Sequence, residues 1–88
     1  MRNVVFASQA EKDYQNWAAR DKKTFKKILS LISDIDRNPF SGLGKPEPLK
    51  HELATFWSRR INNQDRIVYR ISSEDEIIII SCKGHYGK

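Results

Sequence analysis

Apolar residues recur at three- and four-residue intervals early in this chain and at alternate positions late in it, and the change falls across one breaker-rich stretch. A helix of 3.6 residues per turn and a pleated strand of period two impose those spacings, so helices come first and strands last. Between Lys22 and about Arg37, Phe25, Ile28, Leu29, Ile32 and Ile35 form one stripe, which predicts a helix packed along that side. Asp21 is placed to cap it, and Asn38-Pro39 stops it, because a residue before proline disfavours helical backbone. Upstream, Ser8 and Glu11 have capping-box spacing, and a first helix is expected to run to about Arg20 with Ala10, Tyr14, Trp17 and Ala18 inward. Asn3 to Ala7 reads as a short opening strand.

Phe40 to Pro48 holds Gly42, Gly44, Pro46 and Pro48 and is predicted to be a loop without regular structure. Strands are expected at Phe56–Ile61, Arg66–Ser72 and Ile77–Cys82, separated by polar turns at Asn62–Asp65 and Ser73–Glu76. That is an antiparallel meander, and the unbroken isoleucines 77–80 suit a central strand covered on both sides. The expected fold is an α+β sandwich, β-α-α-β-β-β, with two N-terminal helices on a mainly antiparallel sheet, and residues 1–88 forming one domain. A chain of 88 residues can bury roughly 60–65% of its unfolded surface, enough for a core without disulfides or metal.

The lone cysteine, Cys82, follows four isoleucines and reads as a small buried apolar residue. It and the two histidines lack metal-ligand spacing, so neither metal nor other cofactor is expected. A single thiol without a secretory signature suits the cytoplasm, and no run approaches the apolar length of a membrane span. The net charge of +5 favours an acidic partner such as nucleic acid, but is equally compatible with an ordinary basic protein.

Four arrangements can carry chemistry. Strand alternation puts Arg66, Val68 and Arg70 on one face and Ile67, Tyr69 and Ile71 on the other, with Arg59 and Arg60 on the neighbouring strand. This is either a half-solvated sheet or a guanidinium cluster awaiting phosphate. Glu47 lies between Pro46 and Pro48, beside Lys45, Lys50 and His51. It is either the exposed residue of a rigid turn or a carboxylate held still to accept a proton. His85 and Tyr86 follow the isoleucine strand, which would hold them in place. An imidazole titrates near about pH 6.5 and suits a general acid, and a tyrosine can stack on a base, although a lone histidine in such a position is usually inert. Lys22, Lys23, Lys26 and Lys27 crowd the positive end of the second helix, which suggests an external anion as readily as a solvated face.

Taken together, Asn38-Pro39-Phe40, Gly44-Lys45-Pro46-Glu47-Pro48-Leu49-Lys50, Phe56-Trp57-Ser58-Arg59-Arg60-Ile61, Arg66-Ile67-Val68-Tyr69 and His85-Tyr86 closely resemble the YoeB/Txe family. These are small toxins of bacterial type II toxin–antitoxin modules, within the RelE-like superfamily, whose sandwich is similar to that of microbial RNases. The resemblance implies an endoribonuclease that cuts mRNA in the A site of the 70S ribosome. It implies Glu47 as general base, Arg66 as phosphate clamp and His85 as general acid, with Lys50 and Arg60 accessory and Tyr86 on the RNA. It also implies an acidic antitoxin partner of the YefM/Phd type, through which the complex would reach operator DNA. Monomer and homodimer both remain open, and no membrane contact is implied. The chain departs from the family at Gly84, where some relatives carry an aromatic, and in Gly87-Lys88 beyond the tyrosine. Two other classes compete with the nuclease: a non-catalytic RNA- or ribosome-binding inhibitor, which would not need Glu47 or His85, and a DNA-binding regulator, for which no recognition-helix signature is present.

Overall fold

The longer helix, α2 (Lys22–Arg37), begins where Asp21 accepts hydrogen bonds from the Thr24 backbone N–H at 3.1 Å and hydroxyl at 2.8 Å. It ends at Asn38, ahead of Pro39, as the sequence predicts. Its buried stripe is Ile28, Leu31, Ile32 and Ile35, spaced i, i+3, i+4 and i+7, with Asp34 alongside. Leu29, expected inside, is 42% exposed, and Leu31 takes its place because Leu29 lies about 100° round the helix from Ile28. The shorter helix, α1 (Ser8–Arg20), corrects two expectations. Ser8 is its first helical residue and makes no side-chain cap; the flanking Ala7 supplies only its carbonyl, to the Glu11 N–H at 2.9 Å. Ala18 is exposed, whereas Asp13 is buried.

The structure, a computed structural model, describes residues 1–84; His85, Tyr86, Gly87 and Lys88 fall outside them. Five strands form one sheet: β1 (Val4–Phe6), β2 (Glu47–Pro48), β3 (Trp57–Arg60), β4 (Arg66–Ile71) and β5 (Ile77–Ser81), in the order β1-β5-β4-β3-β2. The meander β3-β4-β5 is antiparallel as predicted, and β5 is an interior strand, flanked by β4 and a parallel β1, while β4 is the middle one. The strand β2 lies inside the stretch expected to be a structureless loop. It pairs Glu47 with Ser58 and Pro48 with Trp57 at the sheet edge, where a proline leaves no ladder bond unmade. A single 3₁₀ turn at His51–Leu53 follows it.

Ile67, Tyr69, Ile77 and Ile79 meet Ala10, Ile28, Leu31, Ile32 and Ile35 in one core on the helix side of the sheet. Near the end of β5 the register shifts: Tyr69 opposes Ile79 but Val68 opposes Ser81, so Ile80 is the extra residue of a bulge. The bulge inverts the alternation. It turns Ser81 away from the helices with Val68 and returns Cys82 to the core, against the Ala10 carbonyl.

Candidate active site

The sheet register decides which candidate residues can meet. Glu47 pairs with Ser58, Ser58 with Val68, and Val68 with Ser81, so these four share one row across four strands. Two residues along, Arg60 pairs with Arg66. Ile67 and Tyr69 face the helices, so alternation sets both rows on the opposite face. Ser58, Val68 and Ser81 are buried and floor this face; Glu47 and Arg60 are exposed and Arg66 half-buried at its margins. Two strand spacings across and two residues along put the Glu47 and Arg66 Cα atoms roughly 12 Å apart, a span that a ribose–phosphate unit and two side chains can fill.

Glu47 reaches that row by a sharp turn. Gly44 at φ +80 and Lys45 at φ +53 both have left-handed backbone, and the Gly44 carbonyl accepts the Arg60 N–H at 2.7 Å. A Cβ on Gly44 would stand 2.9 Å from Leu31 Cδ2 and 3.1 Å from the Arg60 carbonyl, so only glycine fits. Lys50 is exposed, close along the chain from Glu47.

Arg59 is not part of the cationic cluster in which the sequence placed it. It is fully buried and faces the helices. Its guanidinium donates to Asp34 Oδ2 at 2.6 Å, to the Leu43 and Ser41 carbonyls at 3.1 and 2.8 Å, and to the Asn38 carbonyl. Its Nε donates to the Tyr69 hydroxyl at 3.1 Å, which itself donates to the Pro39 carbonyl at 2.6 Å. Asp34 also accepts the Leu43 N–H at 2.9 Å, and that bond, with Arg59 next, holds its carboxyl below the ordinary carboxylate range. The loop 38–44 is therefore strapped to the interior by one arginine. No carboxylate opposite Arg59 was visible in the local sequence, because Asp34 lies 25 residues away on α2.

Arg66 differs from Arg70, which the sequence alone could not separate from it. The Arg70 guanidinium lies over the Phe56 ring, 5.9 Å from its centroid. Arg66 is steadied by the Asn62 and Asp65 carbonyls, which its Nη1 reaches at 3.0 and 3.2 Å. Its backbone N–H donates to the Gly84 carbonyl at 2.9 Å, so the residue before His85 is joined to Arg66. His85 and Tyr86 themselves lie outside the described residues. Lys22, Lys23, Lys26 and Lys27 are all exposed on α2. A pocket of about 180 Å³ lined by Asp13, Asn16, Trp17, Arg20 and Lys83 contains none of the candidate residues. Among the described residues, no helix is long and apolar enough to cross a membrane.

Comparison with known proteins is consistent across sequence and structure. The family model described as YoeB-like toxin of bacterial type II toxin–antitoxin system matches residues 6–86. Toxin YoeB of Mycobacterium bovis is 48% identical over 86 residues, spanning 98% of this chain and all of that protein. A solved YoeB/ParE toxin from Agrobacterium tumefaciens superposes with a TM-score of 0.92 at 44% identity, over 96% of this chain and 99% of that one. The YoeB dimer from Staphylococcus aureus gives 0.90 at 46% identity, over 97% and 98%, and the YoeB–YefM complex from that organism gives 0.89 at 45%, over 98% and 99%. With its two helices on a mixed five-stranded sheet, the chain belongs to the YoeB-like family of type II toxin–antitoxin toxins.

Proposed function

We propose that this toxin is a metal-independent endoribonuclease that cleaves mRNA in the ribosomal A site and so stops translation. Glu47 takes the proton of a ribose 2′-hydroxyl, whose oxygen attacks the adjacent phosphorus. Arg66, with Arg60 paired beside it, neutralises charge on the pentacoordinate phosphorane, and Lys50 is an accessory cation. The bond to the 5′-oxygen breaks, and His85 protonates that leaving oxygen. Tyr86 stacks on a neighbouring base. The products are a 2′,3′-cyclic phosphate and a 5′-hydroxyl. The observation that supports this reading is the sheet register, which puts Glu47, Arg60 and Arg66 on the same face away from the helices.

The partners follow from the same reading. An acidic antitoxin of the YefM type, with a segment that folds on binding, covers or distorts the region of Arg60, Arg66 and His85; that a YefM is the partner is supported by the S. aureus YoeB–YefM complex. Operator DNA is reached only through that complex, and the S. aureus dimer supports a homodimer of the free toxin. Lys22, Lys23, Lys26 and Lys27 dock on ribosomal RNA, residues 1–88 act as one toxin domain, and the protein works in the cytoplasm.

Primer extension on a translated mRNA, with and without ribosomes, tests the proposal. Discrete cleavage that requires ribosomes supports it. Full inhibition of translation without any cut establishes the occupancy mechanism in its place.

A further inference from the structure

One carboxylate next to Arg66 in the chain has no role in the chemistry above. The Asn62–Asp65 turn is already closed by backbone and Asn62 bonds: Ile61 N–H to the Asp65 carbonyl at 2.9 Å, and Gln64 and Asp65 N–H to Asn62 Oδ1 at 2.8 and 2.7 Å. Asn62 Nδ2 occupies Asp65 Oδ2 at 3.1 Å. Asp65 Oδ1 instead accepts the Gly84 N–H at 2.9 Å, across 19 residues. Gly84 is thus held at both backbone groups, because its carbonyl accepts the Arg66 N–H. Among the described residues Asp65 makes no ion pair, although Arg66 is its neighbour in sequence. Its charge strengthens the amide bond, and charge-assisted hydrogen bonds are roughly twice as strong as neutral ones.

Gly84 is also where the sequence departs from the family pattern. Its φ of +85 is costly for a side-chain-bearing residue, yet a Cβ there would meet nothing within 4 Å. Beyond Cys82, which is packed in the core, Gly84 is held by its backbone bonds to Asp65 and Arg66. The same turn also steadies the Arg66 guanidinium through the Asn62 and Asp65 carbonyls. The phosphate clamp and the residue preceding the general acid hang from one support.

We infer that Asp65 is a positioning residue, whose carboxylate fixes Gly84 and thereby the start of the segment that carries the general acid His85. The inference rests on the nuclease reading and on His85 as the acid. A positioning error of about 1 Å can cost on the order of a hundredfold, so the loss should be measurable.

The test is single-turnover cleavage on ribosomes of two mRNAs, with the scissile 5′-oxygen intact or replaced by sulfur at the position mapped by primer extension. In both, the 2′-oxygen bonds to phosphorus and the leaving atom departs with the electron pair. Oxygen needs a proton to leave, whereas a thiolate does not. Asp65→Ala should cleave the oxygen substrate roughly ten- to a hundredfold slower and recover to within about threefold of wild type on the sulfur substrate. Asp65→Asn, which keeps an acceptor oxygen, should regain most of the lost rate. Thermal melts accompany each variant, and Asp65→Ser replaces the alanine variant if that does not fold. His85→Ala is the reference. If it recovers on sulfur but the Asp65 variants do not, or if Asp65→Ala cleaves the oxygen substrate at the wild-type rate, the positioning role is overturned and the nuclease reading stands. If His85→Ala stays slow on both substrates, its assignment as acid falls, and the role of Asp65 with it.

Discussion

Arg59 and Asp34 meet inside the protein at 2.6 Å, joining the third residue of β3 to the last turn of α2. Around them, four carbonyls of the loop 38–43 converge on Arg59 and the Tyr69 hydroxyl. A buried guanidinium needs all of its donors satisfied, and this loop supplies what one carboxylate cannot.

Removing one partner of that pair leaves the other charged and buried. Arg59→Ala or Asp34→Ala should cost about 3–5 kcal/mol, measured by chemical denaturation. The pair also gives a pH signature. The Asp34 carboxyl titrates below its ordinary range in the folded protein, so the unfolded chain takes up the proton first. The stabilisation is complete above about pH 3.9 and is lost as pH falls through the depressed folded value. Stability measured against Asp34→Asn should therefore converge with wild type as pH is lowered below about 4.

Glu47→Ala, Arg66→Ala and His85→Ala should each lose at least about a hundredfold in cleavage rate while keeping most ribosome affinity. Glu47 is exposed and its loss should stay within roughly 0.5 kcal/mol of wild-type stability. Arg66→Ala gives up two hydrogen bonds to turn carbonyls and should cost up to about 1 kcal/mol. Single-turnover cleavage and thermal melts read both quantities; three folded variants that still cut at full rate would remove these residues from the chemistry.

Changing Lys22, Lys23, Lys26 and Lys27 together to glutamine should weaken ribosome binding and flatten its dependence on salt, because fewer counterions are released. The folded state should be unchanged or slightly more stable, since four cations leave the positive end of α2. An unaltered salt slope in a binding titration would return these lysines to an ordinary solvated face.

Burial raises the Cys82 thiol to about 12, with Asp13 and Asp65 adding to the effect. The thiol is therefore neutral and inert in the folded protein. Its unfolded counterpart ionises near about pH 8.5, so this contribution to stability is intact below that pH and fades as pH rises toward the folded value. Alkylation at pH 8 should be slow for the native protein and fast in denaturant, followed by mass spectrometry.

The regular elements were legible because each carries a local signal: Asp21 caps α2, Asn38-Pro39 ends it, alternation marks β3 and β4, and an unbroken isoleucine run marks β5. What stayed hidden depends on partners far away in the chain. Glu47-Pro48 becomes a strand only because β3 presents an edge to it. Arg59 looks like its neighbour Arg60 until Asp34 is brought beneath it. Asp65 reads as a turn residue, and no spacing links it to Gly84. Of the candidate site, Glu47, Arg60 and Arg66 stood out by residue type, Arg66 no more than Arg70, and only the register sets the three on one face.

Among the described residues, β1 forms its ladder with β5 alone, and β5 is the last of the five strands in chain order. During translation the opening strand, both helices and the β3-β4 hairpin emerge with the strand between β1 and β4 still missing. Closure waits for contacts more than seventy residues apart, a topology that folds late and in one step. A chain arrested before Ile77 should remain open to protease throughout. A copy with a closed sheet thus exists only after β5 has been made, which gives any partner already present the first claim on it.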